Sequence, residues 1–262
     1  MSGFAADHPG ADIRVSPNFG PRAGGIGPDM IVLHYTGMES GPGAEAWLCN
    51  PESEVSSHYL VHEDGRIVQM VRETDRAWHA GKSSWKGERD INSRSVGIEI
   101  VNPGHFLGYP DFPEAQIAAV IDLCRGIMER HPIPPERVLA HSDVAPGRKI
   151  DPGERFPWTN LADAGVGVRP PEPPPVSGPY LAWGASGEAV ERLQSMLGLY
   201  GYDVEITGVF DRTTHVAVEA FQRHFRSTRA DGIADAATCA VLHELVCARQ
   251  ADATETRVVS RT

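Results

Sequence analysis

The segment His141–Asp151, HSDVAPGRKID, and His34 in the upstream run MIVLHYTG offer two imidazoles and a carboxylate from distant parts of the chain. A catalytic zinc takes three protein ligands of this kind and keeps a fourth position for water. Such a cation lowers the pKa of its water towards neutrality and polarises a carbonyl oxygen, so the chemistry indicated is amide hydrolysis. On the residues alone, Asp143 and Asp151 both remain open as the third ligand. Between the two segments lies SVGIEIVN, with Glu99 at an apolar position. Glu99 alternates with Gly97 and Val101 and opposes Ile98 and Ile100 if this run is a strand. Partial burial there would raise its pKa towards the working pH, as a general base requires. Lys149 lies two residues before Asp151, where an ammonium suits a developing oxyanion.

Other constellations carry less. His58 and His62 are four apart on a strand-like run, a separation of roughly 13 Å, so they cannot share one metal. His62 is expected at the surface beside a turn. Ser56-Ser57-His58 lacks a nucleophile elbow, and the HxE and PCxxC pair of a zinc deaminase is absent.

The elements that must position these groups follow from periodicity. Met30–Tyr35 reads as a buried strand, Gly43–Leu48 as a short helix, and Ser57–His62 with Arg66–Val71 as a hairpin around Asp64-Gly65. Ser95–Val101 makes a further strand. Glu114–Arg130 is helical by its apolar period, with Pro132 just beyond it. Arg137–Ala140 is a short strand delivering His141. The fold class expected is α/β, a mixed sheet flanked by helices.

The 262 residues carry 24 Lys and Arg against 35 Asp and Glu, a net charge of −11. That balance argues against binding nucleic acid or an anionic membrane surface. Cys49, Cys124, Cys239 and Cys247 form no CxxC pair, so neither a thiolate zinc site nor a disulfide framework is expected, and Cys124 reads as a buried small hydrophobe. Residues 1–29 hold no uninterrupted apolar signal segment and no stretch spans a bilayer. A cytoplasmic location is therefore expected, with the periplasm or cell wall as the alternative, and a monomer.

Five pieces in order, LHYTG, SSHYLV, AWHAG, VGIEIVN and AHSDVAPGRKIDPG, resemble the zinc-dependent N-acetylmuramoyl-L-alanine amidases, a family that includes animal peptidoglycan recognition proteins. The resemblance implies a Zn2+ cofactor with ligands His34, His141 and Asp151. It implies a catalytic acid/base at Glu99 and an oxyanion-stabilising cation at Lys149. The activity implied is hydrolysis of the amide between the lactyl group of N-acetylmuramic acid and L-alanine, in peptidoglycan or muropeptides. A non-catalytic recognition protein and a zinc peptidase cutting within the stem peptide are the alternatives. Tyr35, His58, Trp78, His79 and Arg148 are expected to bind substrate, although Trp78-His79 also fits a core Trp with a solvent-facing His.

Residues 1–28 read as an irregular lead-in, 29–164 as the catalytic domain and 165–179 as a proline-rich linker. Beyond it, Gly208-Val209-Phe210-Asp211 with Thr214 and Val218 recurs as Gly232-Ile233-Ala234-Asp235 with Thr238 and Leu242. Each Asp stands at a helix N-cap position. Residues 180–248 thus make a small all-α domain of three helices that resembles peptidoglycan-binding domains, and 249–262 a disordered tail. The first domain carries its own apolar runs, so a chain ending near Leu161 is expected to fold alone.

Overall fold

A continuous apolar run such as Met30–Leu33 needs both of its faces covered, and all four residues are inaccessible to solvent. The computed structural model describes residues 4–259, with side chains to residue 250. Its central sheet holds β1 (Asp12–Ile13), β3 (Met30–Tyr35), β4 (Tyr59–Val61), β5 (Ile67–Gln69), β7 (Ser95–Ile100) and β8 (Val138–Ala140). The spatial order is β1-β5-β4-β7-β3-β8. β3 lies between β7 and β8 and is parallel to both, while β4 and β5 form the expected antiparallel hairpin. β2 (Phe19–Pro21) and β6 (Asp75–Ala77) pair separately, so the lead-in contributes two short strands and is not wholly irregular.

Parallel pairing of β3 with β7 sets Met30 opposite Ser95, Val32 opposite Gly97 and His34 opposite Glu99. These six residues share one face of the sheet, since alternate residues point the same way. The other face presents Ile31, Leu33, Ile98 and Ile100 to the long helix α3 (Glu114–Arg130), through Ile117, Val120, Cys124 and Ile127. Short helices α1 (Gly41–Leu48), α2 (Ile91–Arg94), α4 (His141–Val144) and α5 (Trp158–Asp163) complete this part. Val166 is buried in the same core, and the following residues to 179 have no regular structure.

The C-terminal helices are α6 (Glu188–Tyr200), α7 (Arg212–Phe225) and α8 (Ala236–Val259). The expected tail is therefore helical as far as Val259, and residues 260–262 lie outside the described ones. Among the described residues no helix is long and apolar enough to cross a membrane. Asp211 and Asp235 cap their helices by accepting from the amides of Thr214 and Thr238 at 2.9 and 2.8 Å. Two glutamines, unnoticed in the sequence, complete the repeat. Gln194 donates to the Val209 carbonyl and accepts from Gly208, and Gln222 does the same with Ile233 and Gly232.

These helices share a core with the sheet. Met30, Val32, Trp85, Leu139 and Val144 pack in one cluster with Leu193, Leu197, Phe221 and Leu242. At the junction the buried Asp143 carboxylate accepts from the Ala140 amide (2.8 Å), Tyr202 hydroxyl (2.7 Å) and His224 Nδ1 (2.6 Å). His224 is sandwiched between Trp158 and Phe225. The two parts thus share one core, a contact that the expectation of a first part folding alone did not include. A chain ending at residue 164 would expose Trp85 and strip Asp143 of two partners. It is expected to melt well below the full chain or to lose cooperative unfolding in circular dichroism. Tyr202→Phe should cost about 1.5–3 kcal/mol in urea denaturation, the range for a bond to a charged group. An unchanged melting temperature in both would show that the junction contributes nothing.

Candidate metal centre and active site

His34 stands one residue before the C-terminal end of β3, Glu99 one before that of β7, and His141 immediately after β8. The C-terminal edge of parallel strands is where open α/β sheets bind ligands. Asp151 reaches the same place from the loop after α4, its carbonyl accepting from the Ser142 amide at 3.0 Å. His34 Nδ1, His141 Nδ1 and Asp151 Oδ2 form a triangle with edges of 2.8, 3.0 and 3.2 Å. Among the described residues this is the one group of metal-ligand type found.

The donor set fits a cation. Ligands bound tetrahedrally at about 2.0 Å stand about 3.3 Å apart, close to the edges of this triangle. His141 Nε2 lies 3.1 Å from the Ala80 carbonyl and donates to it, which leaves Nδ1 as a lone pair facing the triangle. Burial, then the neighbouring His141, lowers the His34 pKa to about 4, so His34 is neutral at neutral pH. For Asp151 burial acts upwards, but His141 and His34 together outweigh it and hold the carboxyl well below its ordinary range. Asp143, the rival carboxylate, faces the C-terminal helices instead.

A cleft of about 490 Å³ opens over the triangle and is lined by Tyr35, Trp78, His79, Glu99, Arg148 and Lys149. Trp47 and Phe106 join this lining. Phe106 is 91% exposed on a short turn, and no periodicity marked either residue in the sequence. Glu99 carries the one acidic group of the cleft without a partner: its Oε2 is sealed from solvent and makes no hydrogen bond. Burial, then the charge of Asp151, pushes its carboxyl well above the ordinary value, with Lys149 opposing. Arg148 lies across the cleft edge and donates to the Ala80 and Lys82 carbonyls. The Tyr35 hydroxyl meets His105 Nδ1 at 3.0 Å.

Two expectations fail. His58 does not line the cleft: it is fully buried, its Nδ1 accepting from the Gly97 amide at 2.9 Å, so it braces the sheet and cannot touch substrate. His62 is not a surface residue but is buried, 3.0 Å from Glu45. His79 does border the cleft, yet its ring contacts are internal. Its Nδ1 lies 2.9 Å from His34 Nε2 and its Nε2 lies 3.1 Å from Ser95 Oγ. Asn92 fixes the local backbone by accepting from the His79 and Ala80 amides.

Two imidazoles and a carboxylate of metal-ligand type beside a second carboxyl, gathered at the C-terminal edge of the sheet, are the make-up of a metal-dependent hydrolase centre. The chain belongs to the N-acetylmuramoyl-L-alanine amidase family, whose profile matches residues 24–154. A peptidoglycan-binding domain profile matches residues 186–242. N-acetylmuramoyl-L-alanine amidase AmiD of Escherichia coli is 40% identical over 231 residues, 83% of this chain and 82% of AmiD. The 1,6-anhydro-N-acetylmuramyl-L-alanine amidase AmpD of Escherichia coli is 32% identical over 163 residues, 56% of this chain and 87% of AmpD. The solved AmiD complex with the substrate anhydro-N-acetylmuramic acid-L-Ala-D-gamma-Glu-L-Lys superposes with a TM-score of 0.73 at 35% identity, covering 89% of this chain and 92% of AmiD. AmpDh3 of Pseudomonas aeruginosa gives 0.68 at 32%, covering 88% and 94%.

The Glu99 shift has a measurable consequence in metal-free protein. Its folded pKa lies above its unfolded value near 4.5. The contribution to stability is therefore complete below that value and lost as pH rises through the folded pKa. With chelator present, Glu99→Gln is expected to raise the melting temperature at pH 7 and to change it little at pH 4, by about 2–4 °C for each kcal/mol. Equal shifts at both pH values would contradict a buried, protonatable Glu99.

Proposed function

We propose that this protein hydrolyses the amide joining the lactyl group of N-acetylmuramic acid to L-alanine, with Zn2+ held by His34, His141 and Asp151. The observation that carries this reading is the triangle of three ligand atoms at the floor of the cleft. The AmiD structure was solved with an anhydro-muropeptide, which supports soluble anhydro-muropeptides as a substrate class here.

When bound, zinc supplies Lewis-acid polarisation of the amide carbonyl and a water of lowered pKa. The two imidazoles and single carboxylate leave the centre with net positive charge. Glu99, ionised, takes a proton from the attacking water. The same group then returns that proton to the departing alanine nitrogen, so one carboxyl serves as base and then acid. Its raised pKa suits the second half of that task. The Lys149 ammonium faces the oxyanion that develops on the carbonyl. Tyr35, Trp78, His79 and Arg148 border the space the muramic acid and stem peptide would fill.

The C-terminal helices are proposed to hold polymeric wall, in agreement with the profile match. Tyr180 and Trp183 stand 66% and 64% exposed beside them and offer aromatic faces to sugar rings. Binding there would raise the effective concentration of the cleft at the wall without new catalytic contacts. The chain is proposed to act as a monomer.

Purified protein is expected to carry close to one zinc per chain, and chelation should abolish hydrolysis until zinc is restored. Glu99→Ala should keep zinc but lose about 10²–10⁴-fold in turnover, whereas His34→Ala or Asp151→Ala should lose the metal. Mass spectrometry of muropeptide digests should show a free stem peptide beginning with L-alanine. Products that retain L-alanine on muramic acid would replace this reading with a stem peptidase. For the wall, Trp183→Ala in the full chain should weaken co-sedimentation with sacculi and leave turnover of small muropeptides unchanged. Unaltered sedimentation would remove Trp183 from the binding surface.

A further inference from the structure

We propose that His79, braced by Ser95, fixes the tautomer of His34, so that His34 Nδ1 presents a lone pair towards His141 and Asp151. This rests on the reading of His34 as a metal ligand, and it gives His79, which also borders the cleft, the role of a positioning residue.

The argument runs along the donors. Ser95 has one hydroxyl proton, and it goes to the Ile91 carbonyl at 2.7 Å. Towards His79, 3.1 Å away, Ser95 Oγ can therefore only accept, which puts the ring proton of His79 on Nε2. A neutral imidazole carries a single N–H, so His79 Nδ1 is bare. Its neighbour at 2.9 Å, His34 Nε2, must then be the donor. His34 in turn keeps no proton on Nδ1, the atom at the corner of the ligand triangle. The opposite tautomer would place an N–H inside the triangle and close it to a cation.

The ring of His79 has no freedom to abandon this role. Its edge lies over Gly97, where a Cβ would come within 2.5 Å of the ring. His58, itself fully buried, stands beside it with ring centroids 5.8 Å apart. Asn92 holds the backbone on both sides of the ring's attachment. Gly97 thus has a reason beyond the strand: only hydrogen there leaves room for the ring that orients His34.

The test uses the full chain. His79→Leu removes the acceptor, Ser95→Ala frees the His79 tautomer with little change of volume, and Gly97→Ala displaces the ring with its chemistry intact. His79→Asn returns an acceptor, Oδ1, near the Nδ1 position. Zinc affinity is read by competition with a chromophoric chelator, and the His34 tautomer by ¹⁵N NMR of metal-free protein. Wild-type His34 is expected to be protonated on Nε2. His79→Leu and Gly97→Ala should weaken zinc binding by about 10–100-fold, the usual size for an outer-shell partner. His79→Asn should recover part of that loss, which a merely structural role for the ring would not produce. Should His79→Leu fail to fold, Ser95→Ala carries the test, with a mixed His34 tautomer expected. Native zinc affinity in His79→Leu, or an unchanged His34 tautomer in Ser95→Ala, would overturn the inference. If His34→Ala itself bound zinc normally, the ligand reading would fall instead.

Discussion

Three polar atoms brought within about 3 Å of one another, under an otherwise apolar sheet, set the terms for the rest of this molecule. An ionised carboxylate out of water needs partners, and two bare imidazole nitrogens facing each other need something between them. A cation answers both needs at once. The sheet makes the convergence possible, because β3, β7 and β8 are parallel neighbours whose ends lie side by side. One register slip in β7 would turn Glu99 away from His34 and into the core that holds Ile98 and Ile100.

The same face of the sheet does two jobs along its length. Towards the start of β3, Met30 and Val32 are covered by the C-terminal helices, and at its end His34 opens into the cleft. The one-turn helix α4 stands at the division. Its first residue, His141, points to the triangle, and Asp143, two positions later, is anchored to Tyr202 and His224. A displacement of the C-terminal helices would therefore reach the proposed ligand set through a rigid turn. This is a closer coupling than a proline-rich tether implies.

Most of the sheet and the long helix were legible because their signals are local. The apolar run at Met30, the Asp-Gly turn and the period of Glu114–Arg130 each report burial or chain reversal directly. The proposed ligands were legible for a different reason: two histidines and a carboxylate stood in separated segments whose order matched a known pattern. What escaped was set by tertiary contact. His58 and His62 look like polar strand residues, and only the packed structure supplies the Gly97 amide and Glu45 that allow their burial. The fused core was hidden because Trp85 and Val144 sit in irregular or one-turn segments without periodicity. The proline-rich composition of residues 165–179 marks a connecting segment, but composition says nothing of what the parts on either side touch.

Two carboxyl groups in this cleft, the buried Asp151 and the half-buried Glu99, are pushed in opposite directions. Asp151 is surrounded by imidazole nitrogens and stays ionised, as its proposed role of metal ligand requires. Glu99 loses solvation of its carboxylate and feels the charge of Asp151, so it holds a proton more tightly than an ordinary carboxylate. Environments that separate two like groups in this way divide the labour between them, one for holding charge and one for moving protons. The unsatisfied oxygen of Glu99 has no structural gain to offset its burial. On the sheet face beside His34 it suits the proton-transfer role proposed for it.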